Sequence, residues 1–212
     1  MLLSIVLVVA GYLIGSVSFA VLISRLMGLP SPHSYGSGNP GATNVLRTGN
    51  KYAAILTLLG DAAKGGFAFW LAQRIGVSQF GAAHGVGEWV PAAAALAAFL
   101  GHLYPLYFRF RGGKGVATAA GILLIMNVEM GAIILGIWIV TALVTRYSSL
   151  AAIVAAISAP VVAVALLGKS WLALTVLCMA LLLLWRHRGN ISNLRTGTES
   201  RIRLGARKSG AG

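Results

Sequence analysis

Residues 35–47 read YGSGNPGATNVLR, and the fold turns on how that stretch is taken. Gly36, Gly38 and Gly41 spell a literal G-x-G-x-x-G. As a dinucleotide fingerprint that pattern needs a strand before it and a helix after it, in a soluble βαβ unit. Here the run before it, residues 2–25, is apolar and long enough for a membrane span, and a second such run follows at 53–73. NAD and FAD binding are therefore rejected, and the stretch is a small polar loop pinned between two spans. Its chemistry suits an anion. The three glycines leave backbone N–H groups open, Ser37, Asn39, Thr43 and Asn44 supply side-chain donors, and Arg47 brings a fixed cationic fork. The plainer reading is a turn-rich connector whose polar side chains cap the next helix.

Composition decides the class. Of 212 residues, 58% are hydrophobic and only 10% charged, with a mean hydropathy of +0.83. A soluble globule does not have that balance, so the chain is expected to be an all-α integral membrane protein. The first apolar run has no basic residue ahead of it and is expected to stay as a span rather than be cleaved. Cys178 lies in an apolar run, which leaves no disulfide or thiolate metal site to infer. The four acidic residues, Asp61, Glu88, Glu129 and Glu199, are scattered along the chain. A protein-held Mg or Mn centre needs clustered carboxylates, so neither metal nor cofactor is expected. The net charge of +13 points to anionic partners, which for a membrane protein are lipid headgroups and phosphorylated substrates. No nucleic-acid module is visible.

A ruler of about 20 apolar residues per span gives seven stretches, at 2–25, 53–73, 89–108, 116–128, 130–145, 150–167 and 171–185. The fourth and fifth are short and meet near Asn127, so five spans with re-entrant segments is the rival count. Basic residues set the orientation. With the N-terminus outside, the inner face receives Arg25, Arg47, Lys51, Arg109, Arg111, Lys114, Arg146, Arg186, Arg188 and the arginines of the tail, while the outer face keeps only Arg74 and Lys169. Residues 1–194 form one membrane domain, and 195–212 a basic cytoplasmic tail expected to lie on anionic lipid. Gly11 and Gly15 form a G-x-x-x-G, for close packing within the bundle or for a dimer face. Asp61 and Lys64 share a helix face at membrane depth, as a bracing ion pair or as substrate contacts.

Two further polar stretches fall on the same face. In GHLYPLYFRFRGGKGVAT, residues 101–118, Arg109, Arg111 and Lys114 surround Gly112, Gly113 and Gly115 just before an apolar helix, so cations, open backbone donors and a helix N-terminus converge. It is not a Walker A loop, because Lys114 is followed by glycine. In RHRGNISNLRTGTE, residues 186–199, His187 and Asn190 share a face if the last helix runs on by one turn. The 146–149 loop adds hydroxyls and Arg146. No His is followed five residues later by Asp, no G-x-S-x-G elbow is present, and the aspartate-rich motif of CDP-alcohol phosphotransferases is missing. The chemistry must then rest on positioning and charge stabilisation.

With these stretches in order, and D-x-x-K-G at residues 61–65, the chain resembles the bacterial acyl-phosphate:glycerol-3-phosphate acyltransferase (PlsY) family. The motifs that carry the resemblance are GSGNPGATNVLR, GHxxPxxxxxxGGKGVAT and HRxNIxxLxxGxE. The resemblance implies transfer of a fatty acyl group from acyl phosphate to the 1-hydroxyl of glycerol 3-phosphate, yielding lysophosphatidic acid and phosphate. It implies Ser37, Arg47, Lys114, His187 and Asn190 as the catalytic set. Gly38, Asn39, Asn44, Gly112, Gly113, Gly115, Ser149 and Glu199 are the implied substrate-binding set. Tyr104 stands where the family often has Phe, and Asn193 where it often has Arg; Arg188 or Arg195 is placed to substitute for that cation.

The expected setting is the bacterial cytoplasmic membrane, with the site facing the cytoplasm and the protein working as a monomer. An acyl phosphate already carries a good leaving group, so its own oxygens are expected to take the hydroxyl proton. The rival class is a transporter for a phosphorylated metabolite. It predicts polar groups on both faces or an internal repeat, and the outer face here is nearly bare.

Overall fold

The computed structural model describes residues 1–202. Among them every regular element is helical. The first apolar run forms α1 (Leu2–Gly15) and α2 (Phe19–Leu26), bent by 43° at residues 16–18. A polar loop carrying the short α3 (Ala42–Val45) leads to α4 (Lys51–Gly76), the longest helix. Then come α5 (Gln79–Ala83), α6 (Val90–Leu103), α7 (Val116–Met126), α8 (Val128–Thr145), α9 (Ser148–Leu167), α10 (Trp171–Arg186) and α11 (Arg188–Arg195).

All seven apolar stretches are thus helical. By length and composition α4, α6 with the turn after it, α8 and α9 are long enough to cross a bilayer, and the bent pairs α1–α2 and α10–α11 pass as two more. Helix α7 has 11 residues. That is about 16 Å of helix, well short of a hydrocarbon core of about 30 Å. The loop before it is tucked into protein, with Pro105, Gly112, Gly113 and Gly115 buried, the setting in which irregular backbone within a membrane protein is tolerated. The break between α7 and α8 is chemically specified. Asn127 turns extended and its side chain accepts the Met130 N–H at 2.8 Å, with Glu129 in the first turn of α8 to meet the helix dipole.

Small residues set the packing. Gly11 and Gly15 lie directly on Ala94 and Ala98 of α6, and Gly101 lies on Tyr12, Gly15 and Ser16 in return. The G-x-x-x-G is therefore an intramolecular seam, and the dimer face is not what this chain uses it for. Helices α4 and α7 approach the same way, through Gly65, Gly66 and Gly121. A central cluster of Phe99, Leu103, Ile122, Met130, Val176 and Met179 joins α6, α7, α8 and α10.

The seam yields a test. A side chain at Gly15 has no room against the Ala98 backbone, so Gly15→Val is expected to cost about 1–3 kcal/mol of stability. Gly136→Ala on α8, with open space around it, is expected to leave the melting temperature unchanged or slightly higher. Thermal unfolding of both variants in one detergent checks the contrast; equal melting curves would place the seam elsewhere.

Candidate active site

The site is built from the ends of helices at one end of the bundle. The first loop is organised from within by Asn44, which is 2% exposed. Its Oδ1 accepts the Ser37 N–H at 3.0 Å, and its Nδ2 donates to the carbonyls of Pro32 at 2.8 Å and Tyr35 at 3.2 Å. Both ends of the amide are spent on backbone. Asn44 therefore holds the loop's shape from within. Ser37 is exposed and Asn39 half-buried, and neither side chain has a hydrogen-bond partner among the described residues.

The second loop makes a tight reversal after α6. Arg109 and Phe110 are both left-handed (φ 53° and 60°), and the Phe110 N–H returns to the Pro105 carbonyl at 2.9 Å. Consecutive left-handed non-glycine residues are uncommon, and they aim the following Gly112, Gly113 and Lys114 back into the protein. Gly113 donates its N–H to the His102 carbonyl at 3.1 Å, and a Cβ there would strike the His102 ring and crowd the Pro40 carbonyl. Gly115, at φ 86°, begins α7 directly against the Phe99 ring, where no larger residue fits. From the opposite side Arg186 donates to the Gly112 carbonyl at 2.8 Å and to the Gly113 carbonyl at 2.9 Å and 3.1 Å, with its guanidinium 5.6 Å from the centre of the Tyr104 ring. In the sequence Arg186 is one more inner-face charge; its place at the end of α10, facing two glycine carbonyls, comes from the fold.

Four expected residues meet in one hydrogen-bonded chain. Lys114 Nζ donates to Asn190 Oδ1, Asn190 Nδ2 donates to Glu199 Oε1 at 2.8 Å, and Ser149 Oγ donates to the same oxygen at 2.8 Å. This joins the second loop, α11, the segment after it and the first turn of α9. Glu199 lies by the N-terminal turn of α9, where a carboxylate is favoured. Its carboxylate accepts from both Ser149 and Asn190 and so braces the two against each other. The first loop reaches the same region by Pro40 beside Gly113, by Thr43 Oγ1 3.4 Å from Ser148 Oγ, and by Arg47, whose Nη2 donates to Ser200 Oγ at 2.6 Å.

Helix α10 ends at Arg186, and the chain then bends by 54° into α11. At that bend His187 is buried, and its Nδ1 lies 2.8 Å from the Leu183 carbonyl. That carbonyl fixes the proton on Nδ1 and leaves Nε2 with a lone pair. Burial first, then the charge of Lys114, holds the ring's pKa down to about 4, so it is neutral at pH 7. Lys114 is likewise lowered, by burial and then by Arg186 and Arg47, while Glu199 opposes the shift. Arg47, Arg186 and Glu199 thus all lie near enough to the Lys114 ammonium for their charges to act on it, and three cations against one carboxylate is a balance that suits a phosphorylated ligand.

The expected division between membrane domain and tail at residue 194 falls inside this structure. Ser200 meets Arg47, the Arg201 Nε donates to the Tyr147 hydroxyl at 3.0 Å, and the Ile202 N–H donates to the Arg146 carbonyl at 2.7 Å. The segment to Ile202 is docked on the membrane domain, and the rest of the expected tail, 203–212, lies outside the described residues.

Residues 5–197 match the glycerol-3-phosphate acyltransferase family. A glycerol-3-phosphate acyltransferase of Cupriavidus pinatubonensis is 60% identical over 193 residues, covering 91% of this chain and 93% of that protein. One of Ralstonia pickettii is 58% identical over 199 residues, covering 94% of each. The crystal structure of PlsY (YgiH), an integral membrane glycerol 3-phosphate acyltransferase, in its glycerol 3-phosphate form superposes with a TM-score of 0.85 at 36% identity, over 94% of this chain and 96% of that one. Its lysophosphatidic acid form gives 0.83. Matched along nearly its whole described length in sequence and in fold, the chain belongs to the glycerol-3-phosphate acyltransferase family.

Proposed function

We propose that this protein transfers a fatty acyl group from acyl phosphate to the 1-hydroxyl of glycerol 3-phosphate, at the cytoplasmic face of the bacterial inner membrane and as a monomer. The observation that carries the reading is the Lys114–Asn190–Glu199–Ser149 chain beside the Gly112–Gly113 loop, with the charges of Arg47 and Arg186 acting on Lys114. The solved relative's glycerol 3-phosphate and lysophosphatidic acid forms correspond to the substrate and product of that reaction.

In the reaction the glycerol hydroxyl oxygen attacks the acyl carbonyl carbon, the acyl carbon to phosphate oxygen bond breaks, and the hydroxyl proton passes to a phosphate oxygen. Lysophosphatidic acid and inorganic phosphate leave. Lys114 and Arg47 neutralise the phosphates, the exposed Ser37 and the half-buried Gly38 and Asn39 orient them from the first loop, and the Gly112–Gly115 backbone lines the second. His187 and Asn190 position the glycerol hydroxyl. Burial holds the His187 pKa down to about 4, which makes it a poor base, whereas a dianionic acyl phosphate carries oxygens of its own at the reacting centre. That difference favours the substrate as proton acceptor.

Phosphate release by the purified chain in lipid, with EDTA present, tests the reaction. Release is expected to need both substrates; silence from a folded protein would turn attention to transport of a phosphorylated metabolite. The proton acceptor is tested by the pH profile of kcat. Wild type and His187→Asn are expected to share one acid limb near the phosphate pKa, and its disappearance in the variant would make His187 the base. Stability gives an independent reading of the same ring. The unfolded imidazole takes up a proton below about 6.5 and the folded one only below about 4, so acidification through that window favours unfolding. The wild type is expected to lose stability faster than His187→Asn between those pH values.

A further inference from the structure

We propose that His102 is a positioning residue for the Gly112–Lys114 phosphate loop, and that the buried Asp61–Lys64 pair holds its ring in place. The inference rests on the reading that this loop binds phosphate. Asp61, Lys64 and His102 are 2%, 5% and 7% exposed. Lys64 Nζ donates to Asp61 Oδ1 at 2.7 Å and to the Val17 carbonyl at 2.6 Å, at the break between α1 and α2. The same Asp61 oxygen lies 3.6 Å from His102 Nδ1, which has no hydrogen-bond partner among the described residues.

His102 then meets the loop twice, by its carbonyl on the Gly113 N–H and by its ring on the face where residue 113 has no side chain. The Pro40 carbonyl presses on Gly113 from the first loop. One contiguous path therefore runs from the bend of the first span through a charge pair and an imidazole to the peptide preceding Lys114. An apolar trio would stabilise a helical bundle as well as a buried ion pair does. It would not fix the ring's orientation, and through the ring the loop's donors are set before substrate arrives.

The test uses the full chain in lipid, measuring kcat, KM for each substrate and inhibition by inorganic phosphate, for wild type, His102→Asn and Lys114→Ala. Asparagine keeps a nitrogen facing Asp61 and removes the ring from Gly113. A displaced loop weakens phosphate in ground and transition states alike, so KM and the phosphate inhibition constant are expected to rise about tenfold, with kcat within about threefold. A role confined to folding leaves fewer active molecules, with lower kcat and unchanged KM and inhibition constant, and that result overturns the proposal. So does a variant identical to wild type. If Lys114→Ala leaves phosphate affinity unchanged, the loop's assignment fails instead. Should His102→Asn not fold, the paired change Asp61→Asn with Lys64→Met frees the ring without stranding a charge, and the same rise in KM is expected of it.

Discussion

Lys114→Met is expected to lower kcat by about 10²–10³ while leaving the protein folded and its melting curve near that of the wild type. The ammonium is half-buried and aimed by Asn190, which is itself fixed through Glu199 to Ser149. Charge that develops on the transferring group and on departing phosphate meets a cation already in place and partly withdrawn from water, where its field counts for more. Methionine keeps most of the length and the apolar stem and removes the ammonium, with both its charge and its hydrogen bond to Asn190. Arginine at 114 is expected to recover only part of the rate, because its planar fork cannot occupy the point held by an ammonium against Asn190. The measurement is single-turnover acyl transfer with both substrates saturating, which separates the chemical step from binding. A loss smaller than about tenfold would mean that Arg47 and Arg186 carry the phosphate without Lys114, and the site would have to be redrawn around them.

What could be read from the sequence was whatever is local in the chain. Apolar runs set the helices, and the glycines beside cations in residues 35–47 and 101–118 marked the loops, because an open backbone next to a fixed charge is written within a few residues. Parts played across the fold were not legible. Asn44 looks like any other donor in its loop until Pro32 and Tyr35 fold back onto it. Arg186 reads as one more inner-face cation until α10 brings it over Gly112 and Gly113. The tail reads as a basic anchor, yet Ser200 and Ile202 return to Arg47 and Arg146 across 153 and 56 positions. Asp61 and Lys64 were recognisable as an ion pair from their spacing; that His102 completes them depends on where α6 ends.

Asp61→Ala is expected to cost about 3–5 kcal/mol, the largest stability loss of any single change considered. It strands the Lys64 ammonium at 5% exposure inside the bundle, with only the Val17 carbonyl for a partner among the described residues. Lys64→Met is expected to cost a similar amount, since the Asp61 carboxylate is then left with a ring nitrogen 3.6 Å away. The double change Asp61→Ala with Lys64→Met removes both charges and is expected to recover most of the loss, because a matched apolar pair carries no desolvation penalty. Equilibrium unfolding of the three variants in mixed micelles gives the coupling directly. Additive losses would mean that the two residues act separately and that the bend at residues 16–18 is held by something other than Lys64. Strong recovery of stability, alongside phosphate affinity that stays weak, would divide the pair's two tasks: its charges cancel for the sake of the bundle, and its geometry serves the loop above it.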